Sequence, residues 1–168
     1  MMSSLTWPQR VYLFAVAALA LCVGIWCYFV PGHSDAAIPW NVPPLCAGFL
    51  GHTADHVARG DLRWPLTLES VQFIIISLLI YAIIGFGLCL YLKNKVGPRF
   101  WAVVAGIGVA FGWLAHFSPF TDQPPQYILS AYESAAAGWL ALGCLVALML
   151  VLITTAIYAE YLWARSSR

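Results

Sequence analysis

Histidines 52 and 56 stand four apart in "GHTADHVARGD", residues 51–61, with Asp55 between them. On a helix, side chains at i and i+4 share a face, which is how two imidazoles are presented to one metal ion. A metal needs a third ligand, and His116, His33 and Asp55 are the candidates. His33 lies in "VPGHSD" and His116 in "GWLAHFSPF". Imidazole nitrogens suit zinc and copper. An outer histidine could also ligate a haem or a chlorophyll-type pigment. The plain alternative is a set of interfacial rings bonded to loop carbonyls and lipid headgroups. The His-Glu-x-x-His protease form is absent, because Thr53 follows His52 and no glutamate lies in the stretch.

The elements that must position these rings belong to a membrane protein. Of 168 residues, 62% are hydrophobic and only 9% charged, with mean hydropathy +0.81. Soluble domains carry about a quarter charged residues. A net charge of +1 offers nothing to nucleic acid. Four of the five cysteines lie in apolar runs and no Cys-x-x-Cys occurs, so a disulfide framework is not expected.

The chain reads as one all-α integral membrane domain over residues 1–168, a bundle of four transmembrane helices. Apolar runs of spanning length cover residues 11–30, 68–92, 100–117 and 129–163. The last is too long for one bilayer, so its first turns, with Tyr132 and Glu133, are expected to stand above the membrane as a helical extension. Trp139 and Trp163 then mark two interfaces about 36 Å apart. The second and third runs are joined by the tight "KNKVGPR", which makes them antiparallel neighbours.

Arg10, Lys93, Lys95, Arg99, Arg165 and Arg168 fall on one side of this layout, and only Arg59 and Arg63 on the other. The bias places both termini in the cytoplasm and residues 31–67 and 118–128 on the outer, periplasmic side of a bacterial-type inner membrane. Within the long outer loop, Pro39, Pro43 and Pro44 forbid a continuing helix. Pro44 can open a short helix that Gly60 stops, over about residues 44–59. Too short to span, it should lie at the interface or fold back against the bundle. Leu45, Cys46, Phe49, Leu50 and Val57 share its apolar face, and His52 and His56 fall at the edge.

No charge lies in the central part of any span, which argues against intramembrane acid–base chemistry and a proton-coupled carrier. Gln72, Ser77, Thr154 and Thr155 are the polar exceptions. Gly106, Gly108 and Gly112 on the third run, and Ser134 and Gly138 at the start of the fourth, let helices approach closely. They serve packing within the bundle or docking onto another subunit or a second copy. The first expectation is therefore a non-catalytic integral subunit of an energy-transducing or transport complex, with no cofactor. The second is a metal- or haem-binding membrane protein using the outer histidines. A small transporter or channel is third, since no polar stripe lines a span.

Overall fold

The computed structural model describes residues 6, 7, 9–11, 14 and 37–166, with side chains from residue 44 onward in the long stretch. The described elements are all helical: α1 (Ala37–Arg59), α2 (Leu68–Leu92), α3 (Pro98–His116), α4 (Pro125–Ser130) and α5 (Ala135–Ser166). The expected first span, residues 11–30, and His33 fall outside the described residues apart from residues 11 and 14.

Three helices, α2, α3 and α5, are long and apolar enough to cross a membrane. α2 matches the expected second span, and α3 is displaced from the third by two residues at its start and one at its end. α2 begins at an N-cap, Thr67, whose hydroxyl accepts from the Ser70 amide. α3 begins at Pro98, where a missing N–H costs nothing. Val71, Ile75, Leu79, Ile83 and Phe86 remain exposed along α2, and Ile107, Phe111, Trp113 and Leu114 along α3. In water such faces would drive aggregation; against lipid tails they suit the bilayer.

Two expectations about helix ends are corrected. α1 begins at Ala37, not near residue 44, and carries all three prolines. Proline removes one helical hydrogen bond and crowds one carbonyl, a local penalty that the packing of α1 on α5 outweighs. The expected continuous extension of the fourth span is also broken. Residues 131–134 interrupt it, leaving α4 as a separate turn and a half. The break lets Tyr132 reach Asp55 of α1, its phenol donating to Oδ1 at 2.7 Å.

Helix α5 is the post against which α1, α3 and α4 pack. A Cβ added to Gly48 would lie 3.1 Å from the Leu148 side chain, and one on Gly51 3.2 Å from Cys144 Sγ. α1 thus runs antiparallel along α5, about 35 Å long at 1.5 Å per residue, and does not lie across its surface. On α3, Gly108 meets Leu152 and Gly112 meets Met149, so α3 is antiparallel to α5 as well. Gly138 sits 2.8 Å, as a virtual Cβ, from the Leu129 carbonyl of α4. Gly106 faces nothing within 4 Å. α2 closes onto α3 near their turn, where Tyr91 and Trp101 meet edge to face at 6.4 Å.

The register sets the level of the site. α1 and α3 both rise toward the same end of α5. His52 is one residue past Gly51, opposite Cys144; His116 is four residues, about 6 Å, past Gly112, opposite Met149. Both therefore arrive near residues 143–145 of α5. The Gln9 side-chain amide donates to the Leu62 carbonyl at 2.7 Å, which places residue 9 at this histidine end. Arg165 lies at the far end of α5. Residues 9 and 165 therefore lie at opposite ends of the bundle.

Gly138→Ala should lower stability by about 1–3 kcal/mol, because its methyl meets a backbone carbonyl that cannot step aside. Gly106→Ala should be neutral or slightly stabilising, up to ~1 kcal/mol from helix propensity; thermal unfolding in mild detergent compares the two. Membrane-impermeant labelling of single cysteines placed at residues 9 and 166, in a chain without its native cysteines, should mark opposite faces of a vesicle. Labelling from one face would contradict the register above.

A three-histidine candidate metal centre

Gly60 ends α1 with φ +97°, a left-handed conformation that favours glycine. Its amide donates to the Val57 carbonyl at 3.2 Å, and the Asp61 amide to the His56 carbonyl at 3.0 Å. This reversal swings the Asp61 carboxylate back onto the helix it has just left. It accepts from His56 Nδ1 at 2.5 Å. Ser70 fixes the same loop: its hydroxyl donates to the Asp61 carbonyl at 3.0 Å and accepts from the Arg63 amide at 3.0 Å. Burial works to raise the Asp61 pKa. The bond from His56, the nearby Arg59 charge and the Gln123 side chain outweigh it and hold the carboxyl below its ordinary value.

A second loop does the same for His116. Thr121 Oγ1 donates to the Ala115 carbonyl and accepts from the Gln123 amide. The Gln123 carbonyl then stands 3.3 Å from His116 Nδ1. A carbonyl can only accept, so this nitrogen carries the ring proton. The same holds for His56 Nδ1 against a carboxylate. In each neutral ring the other nitrogen, Nε2, is then a bare lone pair.

Both lone pairs converge on His52. Its Nε2 lies 3.1 Å from His56 Nε2 and 3.2 Å from His116 Nε2. One ligand atom from each ring lies within 4.8 Å of the others. The ring centroids are 4.5, 4.9 and 5.7 Å apart, and Phe73 covers His56 at 5.4 Å. His116 is buried at 4% exposure, and the side chains of His52 and His56 are each 15% exposed. His52 Nδ1 is buried with no hydrogen-bond partner.

Beside the rings lies a buried ion pair. Arg59 grips Asp55 with two bonds, Nε to Oδ1 at 3.0 Å and Nη2 to Oδ2 at 2.8 Å. Their side chains are 0% and 2% exposed. Arg59 Nη1 also donates to the Gln123 side-chain oxygen at 3.1 Å. Burial first, and the hydrogen bond to Asp55 next, push the Tyr132 phenol pKa upward. Deeper, Thr53 and Tyr81 pair their hydroxyls at 3.3 Å between α1 and α2.

Of the four histidines marked in the sequence, the structure brings together His52, His56 and His116, while His33 is outside the described residues. Asp55, weighed as a ligand, faces Arg59 and not the three Nε2 atoms. Asp61 and Gln123 were not singled out. Asp61 had a signal: the acid just beyond a helix-ending glycine, one turn past a histidine. Gln123 had none, since it reaches His116 through its main-chain carbonyl, which any residue carries. Cys46, Cys89 and Cys144 are free thiols. Comparison with known protein families, with curated proteins and with solved structures returns no match.

Arg59→Met should destabilise the protein by about 3–5 kcal/mol, since it strands a buried carboxylate. Arg63→Ala, on an exposed side chain, should change stability by no more than ~0.5 kcal/mol. Unfolding in detergent distinguishes them; equal effects would mean that the Asp55–Arg59 pair is solvated.

Proposed function

We propose that this is a membrane protein that binds one transition-metal ion, zinc or copper, through Nε2 of His52, His56 and His116. The observation that supports this most is the convergence of two lone pairs, fixed from behind by Asp61 and Gln123, on a third imidazole nitrogen. Separations of 3.1 and 3.2 Å suit ligands about 2.0–2.1 Å from a tetrahedral ion, which would stand about 3.3 Å apart. The outer shell fits the same purpose: metal-bound histidines give their second ring proton to a carboxylate or carbonyl. Three ligands leave one position of a tetrahedral ion for water or a substrate.

Haem and chlorophyll-type pigments are less favoured. Rings this close enclose room for an ion and not for a macrocycle. Service as a subunit of a larger complex has weaker support, because Gly108, Gly112 and Gly138 are filled by Leu152, Met149 and Leu129 of the same chain. Gly106 alone of the named glycines stays open for a neighbour. We further infer that the histidine end faces outward from a bacterial-type inner membrane. Lys93, Lys95, Arg99 and Arg165 gather at the other end, against Arg10, Arg59 and Arg63 at the histidine end, a bias of four basic residues to three.

Protein purified without chelator and dialysed against zinc should hold one ion per chain by elemental analysis. Changing any one of the three histidines to alanine should weaken binding by more than the ~10–100-fold that loss of an outer-shell partner costs. Stoichiometric zinc in the triple alanine variant would overturn the assignment.

A further inference from the structure

His52 differs from its two partners in one respect. His56 and His116 have acceptors for their Nδ1 protons; the Nδ1 of His52 is buried with none. A neutral ring has one proton. Without metal, the useful place for it is Nε2, where it answers one of the two facing lone pairs. A metal at the centre needs that nitrogen bare, and the proton must then sit on Nδ1, in a pocket too dry to solvate it. An unsatisfied buried donor there would cost about 1–3 kcal/mol.

Asp55 holds the missing acceptor. A carboxylate offers about four acceptor positions, two per oxygen. Oδ1 already takes two bonds, from Arg59 Nε and the Tyr132 phenol. Oδ2 takes one, from Arg59 Nη2, and it is Oδ2 that stands 3.9 Å from His52 Nδ1. The remaining site is therefore on the oxygen nearest the unpartnered nitrogen. A shift of about 1.1 Å would make an ordinary bond of ~2.8 Å.

We propose that Asp55 is a positioning residue for the metal centre proposed above, accepting the Nδ1 proton of His52 when the ion binds. Loading then moves the proton of His52 from Nε2 to Nδ1, with no net proton released by that ring. The lone pair freed on Nε2 faces the metal, and the ring proton, now held on Nδ1, is donated in a hydrogen bond to Asp55 Oδ2. Arg59 holds Asp55 in place with two bonds and also holds Gln123, whose carbonyl orients His116. One ion pair thereby steadies two of the three ligands.

The direct test is nitrogen-15 NMR of the full chain, labelled at histidine, in detergent, with and without zinc. The expected result is a change of the His52 tautomer from Nε2–H to Nδ1–H, with the Nδ1 proton strongly downfield as in a bond to carboxylate. A His52 that keeps its Nε2 proton in the zinc form, or shows an unbonded Nδ1 proton, overturns the proposal. The double variant Asp55→Leu with Arg59→Met removes both charges together and so leaves neither buried alone. It should bind zinc about 10–100-fold more weakly than wild type. Tyr132→Phe, which removes bonds to Oδ1 and to the Asp55 main-chain carbonyl but none to Oδ2, should lower stability and leave zinc affinity unchanged. Zinc bound equally by wild type and double variant would leave the metal centre standing and overturn the role of Asp55. A wild-type chain that takes up no zinc would remove both.

Discussion

A neutral imidazole has one ring proton, and at the histidine end of this bundle two of three such protons are already committed. Asp61 takes that of His56 and the Gln123 carbonyl that of His116. Two lone pairs must then point at one neighbour, His52, which can answer only one of them. No arrangement of protons among three neutral rings satisfies the centre. A cation does, and the cost of leaving buried acceptors facing one another is what a bound ion would relieve.

That constraint reaches into the fold because its parts come from distant stretches of chain. Two of the histidines ride on α1 and the third ends α3. They meet because both helices run antiparallel to α5, at registers set by Gly48, Gly51, Gly108 and Gly112. Small residues let backbones approach until a single side chain fills the gap. A slip of one turn, about 5.4 Å, would separate the rings beyond the reach of one ion. The loops then complete the centre: Gly60 reverses the chain toward His56, and Thr121 shapes the turn that carries Gln123. Asp55, Arg59 and Tyr132 bind α1 to the chain just before α5 at the same level.

Much of this was legible in the sequence, and the gaps have physical causes. The apolar runs disclosed α2 and α3 to within two residues, because lipid-facing length is a strong local signal. The i,i+4 spacing disclosed the pair His52 and His56, and the apolar face of α1 was legible through Leu45, Cys46 and Val57, all buried. The start of α1 was not, because proline statistics describe an isolated helix while this one is held by α5. The break at residues 131–134 was hidden for a like reason, since Tyr132 leaves the helix to serve a partner 77 positions away. His116 stood only as one of several third ligands, because choosing among them requires the register of α3 on α5. The spacing of Asp55 and Arg59 permits an ordinary i,i+4 helix pair, and nothing local to it foretells burial, which depends on the packing of the bundle.

X-ray absorption at the zinc edge of the loaded full-length protein tests the central claim most directly. Binding through His52, His56 and His116 predicts three imidazole nitrogens at about 2.0–2.1 Å, with the outer-ring scattering of histidine and no sulfur. A first shell of sulfur, or of oxygen alone, would contradict it and return the three histidines to a purely structural role.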